Sequence, residues 1–167
     1  MSFDILFHTA RFTGKTVVKK NPFTGEDASG RSEEPLTATE VKAVRKVLAA
    51  VNAQGPDEHG CYVVELEDGG AAEVFADQLK SGCMVCLRGI TPDLCQFLFD
   101  FLKAGQWVML PIMEDAVALT ASPGSVKGVP DDFPRLVTCD SAQELAALFT
   151  KGVQDWQKYR DQVVRGE

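Results

Sequence analysis

Twice in this chain a helical stretch is followed by glycine, one spacer, an aromatic residue and valine, and then by a run with the pattern of a β-hairpin. The first instance runs from Gly60-Cys61-Tyr62-Val63 to Ala76, and the second from Gly105-Gln106-Trp107-Val108 to Ala121. This weak internal repeat of helix and hairpin places both hairpins in one sheet. It also organises the charge, because neither instance contains Lys or Arg. Between Val47 and Leu79 the only charged side chains, His59 aside, are seven carboxylates, and between Ala104 and Val126 they are Glu114 and Asp115.

A chain of 167 residues fits a single domain, 1–167, able to bury about 70% of the surface its unfolded form exposes. Apolar residues at 45% and charged residues at 25% are close to the globular average and give no case for extended disorder. The net charge of −7 argues against nucleic acid as a partner, since phosphate binding relies on clustered Lys and Arg. A basic partner is favoured electrostatically. The start Met1-Ser2-Phe3-Asp4 lacks the charged and apolar regions of a signal peptide, and no run of about 18 apolar residues offers a membrane span. Five cysteines, an odd number, suit reduced thiols better than a disulfide framework. These features together point to a cytoplasmic protein with no membrane association.

Along the chain, Phe3 to Phe12 is β-prone, and Lys15 to Lys19 reads as its hairpin partner. A flexible loop near 21–36 follows, with turn chemistry at Asn21-Pro22-Phe23-Thr24-Gly25 and a polar stretch from Glu26 to Glu34. Thr37-Ala38-Thr39-Glu40 has the spacing of a capping box, and Val41, Val44, Leu48 and Val51 then recur at helical spacing. The first hairpin follows, and then a strand within Ser81 to Arg88. Thr91-Pro92-Asp93 opens a second helix with a cap residue and a proline at its first position. That helix, 92–104, is apolar most of the way round, so it belongs at the core or in an interface. The second hairpin, Trp107 to Ala121, is apolar on both faces and is expected at the centre of the sheet. An irregular loop near 122–134, a short strand at Arg135 to Thr138 and a capping box at Ser141-Ala142-Gln143-Glu144 come next. Val153, Trp156, Tyr159 and Val163 give the stripe of a last helix. Hairpins outnumber crossovers, so the expected fold is α+β, a mainly antiparallel sheet with three to four helices packed on it.

Register within the first hairpin singles out one face. With Asp68-Gly69-Gly70 as a three-residue loop, Leu66 faces Ala72, Val64 faces Val74 and Tyr62 faces Ala76, while Glu65 stands opposite Glu73 with Glu67 beside them. Like charges directly opposite cost a few tenths to about 1 kcal/mol. Glu65, Glu67, Asp68 and Glu73 are therefore the candidate partner-binding residues, for a basic protein surface, against the plainer reading of a solvated face. The other constellations are weaker. Cys83-Met84-Val85-Cys86 has C-x-x-C spacing with His59 and Cys61 upstream, but Met-Val favours an extended strand that sends the two thiols to opposite faces. His8 and His59 are the only histidines, one in an apolar strand and one in an acidic turn. Trp156, Tyr159 and Arg160 read as core anchors sooner than as a binding patch. No nucleophile elbow or phosphate loop is present.

These observations favour a non-enzymatic, acidic protein-binding module with no catalytic residues, metal or cofactor assigned, of the kind that inhibits or masks a basic partner. Two other readings stand beside it. One is a small-molecule-binding domain or small enzyme with a pocket between the sheet and helix 92–104, edged by His8, Cys61 or Cys83. The other is a structural homo-oligomer, for which a homodimer is the simplest assembly.

Overall fold

The computed structural model describes residues 3–20, 25–76, 79–112 and 117–149. In chain order the elements are β1 (Phe3–His8), β2 (Phe12–Lys20), β3 (Asp27–Glu33), α1 (Ala38–Ala50), β4 (Cys61–Glu65), β5 (Ala71–Phe75), β6 (Gly82–Arg88), α2 (Pro92–Ala104), β7 (Val108–Pro111), β8 (Ala118–Thr120) and β9 (Leu136–Thr138). Residues 142–149 form a further helix, α3. Seven strands make one sheet in the order β4-β5-β6-β1-β7-β8-β9, while β2 and β3 pair separately. Every pairing is antiparallel except β8 with β9. The fold is α+β with an antiparallel-dominated sheet.

The helix boundaries follow from local chemistry. Thr37 caps α1 by accepting from the Glu40 N–H while Glu40 accepts from the Thr37 N–H, a reciprocal capping box. Thr91 caps α2, with Pro92 at the first helical position, where its missing N–H costs no hydrogen bond. Gly105 ends α2, and a side chain there would collide with the Trp107 ring. Ser141 accepts from the Glu144 N–H at 3.1 Å and starts α3.

Pairing across β1 departs from the expected first hairpin. β1 pairs with β6 and β7 and lies at the middle of the sheet, whereas β2 turns out of it and pairs with β3. The turn is made at Ala10, whose φ of 47° lies in the left-handed region that non-glycine residues rarely occupy. The polar stretch Glu26 to Glu34, expected as loop, is therefore mostly strand β3. Its residues lack an alternating apolar pattern because both faces of this two-stranded ribbon meet solvent over most of its length. Residues 21–24 and the stripe from Val153 to Val163 lie outside the described residues. The second hairpin, β7 with β8, is not central either: it sits between β1 and β9, and the middle position belongs to β1.

Among the described residues, all three α-helices serve one face of the sheet. Ile5, Phe7, Val85, Leu87, Val74, Val64 and Met109 point to that face, are buried, and pack with α1 through Val44 and Leu48 and with α2 through Leu94, Leu98, Phe101 and Leu102. Phe101 sets the depth of α2, meeting Phe7 edge-on at 5.2 Å and stacking on Trp107 at 6.1 Å. Burying each such Leu or Phe contributes about 1.5–3 kcal/mol, so α2, with seven buried residues, is the main apolar tie between the layers. Its all-round apolar surface is accounted for by a sheet beneath and a helix on either flank, since Phe97 lines a groove toward α1 and Cys95 faces Ala142 and Ala146 of α3.

One polar contact ties the layers at the point where the chain leaves the sheet. Arg11, buried, meets Glu40 of α1 with two hydrogen bonds of 2.7 and 3.0 Å and gives a third to the Pro35 carbonyl at 3.0 Å. Burial pushes the Glu40 carboxyl up, but the Arg11 guanidinium and the Thr37 donors outweigh it and hold the group below its ordinary value of 4.5. A depressed native pKa means stability that is complete at neutral pH and lost as the pH falls below 4.5 and through the native value. Arg11→Met leaves a buried carboxylate without its partner and is expected to cost about 3–5 kcal/mol in urea denaturation at pH 7. That difference should shrink as the measurement moves to acid pH, because a protonated Glu40 no longer needs the guanidinium.

Candidate functional site

The face of the sheet turned away from the helices is where surface chemistry is available. Strand alternation sends Leu6, Met84, Phe75, Cys61 and Leu110 to it, and their register places them in one cross-strand row: Cys61 opposite Phe75, Phe75 opposite Met84, Met84 opposite Leu6 and Leu6 opposite Leu110. Five strands spaced by about 4.8 Å make this row about 19 Å long. A second row beside it runs Val63, Glu73, Cys86, Asp4, and ends where Ile112 donates its N–H to the Asp4 carbonyl. A third holds Glu65, Ala71 and Arg88. Leu6, Val63, Phe75 and Ile112 remain 42, 39, 36 and 55% exposed, which is unusual for four large apolar groups sharing one face.

The same face is closed at its other end. His8, Val108, Ala118 and Leu136 are covered by Phe12 from β2 and by Val126 and Phe133 from the irregular loop. The His8 ring lies 6.2 Å from Phe12 and 5.8 Å from Phe133, and its Nδ1 is 3.6 Å from Glu33. Burial lowers its pKa, so the ring is neutral at pH 7. This half of the face is a small second core. The other half, from β4 to β1, is the open one.

The carboxylates named from the sequence occupy different places. β4 and β5 pair two residues away from the expected register: Glu65 faces Ala71, Val63 faces Glu73, and Leu66 donates its N–H to the carbonyl of Gly70, not of Ala72. The three-residue loop is therefore Glu67-Asp68-Gly69, with Gly69 at φ 84°, a turn conformation that only glycine takes without strain. Glu65 and Glu73 thus do not oppose each other, although both stay on the open side. Glu73 pairs with Arg88 of β6 at 2.7 Å. Asp68 is committed to the fold: its carboxylate accepts from the N–H groups of Gly70 and Asp93 and from the Thr91 hydroxyl, at 2.9–3.0 Å, which fastens the turn to the start of α2. Desolvation raises this carboxyl, and those donors together bring it below its ordinary range. Glu67 and Glu65 line a groove between α1 and α2.

Asp4 is the acidic residue that sequence reasoning passed over. It lies in the second row beside Glu73, its Oδ1 is buried, and it finds no hydrogen-bond partner among the described residues. The Cys86 thiol donates to the same carboxylate. Burial first, then Asp4, pushes that thiol up to about 11. A hint was present in the sequence, since Asp4 is the one acid in the otherwise apolar start Phe3-Asp4-Ile5-Leu6-Phe7.

Other candidate chemistry is dispersed. Cys83 faces the helices, where burial raises its thiol, while Cys61 and His8 lie on the other face with two strands between theirs. His59 is exposed, with Nε2 3.5 Å from Glu58. Among the described residues no three His, Cys, Asp or Glu side chains gather as metal ligands, and no helix is long and apolar enough to cross a membrane. The space between sheet and α2, expected as a pocket, is filled by Phe7, Phe101 and Trp107. Concavities lie instead on the flanks of α2, among them a groove of about 740 Å³ between α2 and α1 and one of about 620 Å³ between α2 and α3. No protein-family model, curated protein or solved structure matches this chain.

A raised thiol pKa is directly testable. With a pKa of about 11 against an ordinary 9.0, Cys86 holds about 100-fold less thiolate near neutrality. Its alkylation by iodoacetamide, followed by mass spectrometry, should be slower than that of a free cysteine by that factor at pH 7.5 and rise about tenfold per pH unit up to pH 9.5.

Proposed function

We propose that this chain is an acidic, cytosolic protein-binding module whose working surface is the open half of the sheet, and that its partner presents an apolar centre flanked by Lys or Arg. One observation carries the reading: an exposed apolar row bordered on its own face by Asp4, Glu65 and Glu73, with a buried oxygen of Asp4 lacking a donor among the described residues. Apolar area supplies affinity and the carboxylate border supplies orientation and steering. A buried carboxylate oxygen without a donor is costly, and a guanidinium or ammonium brought near the Asp4 carboxylate by a partner would offset part of that cost through its charge. Five free thiols fit a reducing compartment. The acidic border also works against pairing of two copies face to face, because Arg88, the basic residue among the rows, is already engaged by Glu73. An inhibitor or immunity-type protein that masks a basic surface has this combination of size and charge.

The test is affinity capture from the native lysate at low and at high salt, with Leu6→Lys and Phe75→Lys beside the wild type. Both positions are exposed, so circular dichroism should report an unchanged fold. A basic protein should be enriched by the wild type, weakened about tenfold or more by either variant, and released by salt beyond the screening range. Equal capture by wild type and variants would refute the proposal. So would a homodimer in light scattering that either lysine dissolves, since the face would then serve self-association.

A further inference from the structure

A cleft of about 370 Å³ lies between the β2–β3 ribbon and the loop that joins β8 to β9. Its two walls are tied to each other. At the root of β2, Phe12 donates its N–H to the Lys127 carbonyl at 2.9 Å, and Lys127 donates to the Ala10 carbonyl at 3.1 Å. Phe133 then sets its ring edge-on to Phe12 at 5.7 Å, and the hydrogen bond from its N–H to the Pro130 carbonyl closes the turn that carries Asp132. On the ribbon wall Thr16 stands opposite Arg31, and Ser29, two residues along β3, falls on the same face as Arg31.

Charge makes this cleft unlike the others. Arg31 on the ribbon and Asp132 on the loop are the charged residues that line it, and among the described residues neither takes part in an ion pair. Glu33, the nearest acid along β3, is turned instead to His8, whose Nδ1 lies 3.6 Å away. A guanidinium and a carboxylate therefore line one space from opposite walls without meeting. Phe12 and Pro130 supply apolar surface in the same cleft.

From this arrangement we propose that the cleft binds a free α-amino acid, with its carboxylate on Arg31, its ammonium on Asp132 and an apolar side chain against Phe12 and Pro130. A guanidinium offers a carboxylate two parallel N–H donors, and Ser29 and Thr16 add hydroxyl groups on the same wall. A ligand of single charge is attracted at one wall and repelled at the other. A zwitterion is attracted at both. The volume is at the lower end of the range for ligand pockets, which suits a molecule of this size. Both charged residues are exposed, so solvent screening keeps the expected affinity modest, with a Kd of about 1 mM.

The probe is L-phenylalanine, titrated into the isotope-labelled full chain and followed by amide chemical shifts. Two derivatives are the comparisons: N-acetyl-L-phenylalanine, which lacks the ammonium, and L-phenylalaninamide, which lacks the carboxylate. Saturable shifts are expected at Thr16, Ser29, Arg31 and Asp132 with the amino acid, and each derivative should bind about tenfold more weakly or worse. Arg31→Gln should remove the preference for phenylalanine over its amide, and Asp132→Asn the preference over the N-acetyl form. Both positions are exposed, so circular dichroism should report an unchanged fold. No saturable shift up to about 20 mM, equal affinity for all three probes, or preferences that survive both substitutions would each overturn the proposal.

Discussion

The buried pair between Arg11 and Glu40 is the contact on which the arrangement of the layers depends. Arg11 stands just after the central strand, where the chain abandons the main sheet, and Glu40 stands in the first turn of α1. The same carboxylate closes the capping box with Thr37, and the same guanidinium holds the Pro35 carbonyl. Three segments are thereby brought to one point, with Glu34 donating its N–H to the Arg11 carbonyl and Thr9 reaching the Glu34 carbonyl. Charges taken this far out of water are tolerated because nearly every donor and acceptor is answered, and the geometry is bidentate. Placement of α1 over the sheet, and with it one wall of the helix groove, follows from that knot.

Once the helices are fixed on one face, the opposite face has to be finished by what remains. The β2–β3 ribbon and the loop from Val126 to Phe133 cover the end near β7, β8 and β9, where Phe12 and Phe133 enclose His8. Toward β4, β5, β6 and β1 the face stays open, with Leu6 and Phe75 of the apolar row and Val63 beside it exposed. A sheet helical on one side and mixed on the other has two unlike surfaces, one built by packing and one available for recognition. The proposed partner surface grows from this asymmetry, as the open part of the bare side.

Much of the local structure could be read directly. The three helix starts, the end of α2 at Gly105, strand β6 and the opposite facing of Cys83 and Cys86 follow from caps, prolines and alternation, which act within a few residues. The position of the β2–β3 ribbon could not, because a polar two-stranded ribbon lacks the alternation that a half-buried strand displays. Register in the first hairpin was off by one step at the turn, since Asp68-Gly69-Gly70 offers two places for the left-handed glycine and only the observed loop lets Asp68 reach the N-terminus of α2. The apolar row was invisible for a different reason. Leu6, Phe75 and Met84 lie on three strands far apart in sequence, and only strand order makes them neighbours.

By itself the sequence determined the α+β class, the helix boundaries, the excess of carboxylates and the apolar character of α2, because each rests on short-range chemistry or on composition. Tertiary structure decided which strand is central, which face the helices cover, which carboxylates are committed to the fold and which border an open surface. Asp68 and Asp4 mark the difference. In sequence the first belonged to an acidic turn and the second was an isolated acid, while in the fold Asp68 is consumed by hydrogen bonds to α2 and Asp4 keeps a buried oxygen without a donor among the described residues. Whether a charge is spent or available depends on groups brought to it from elsewhere in the chain, and that information resides in long-range pairing.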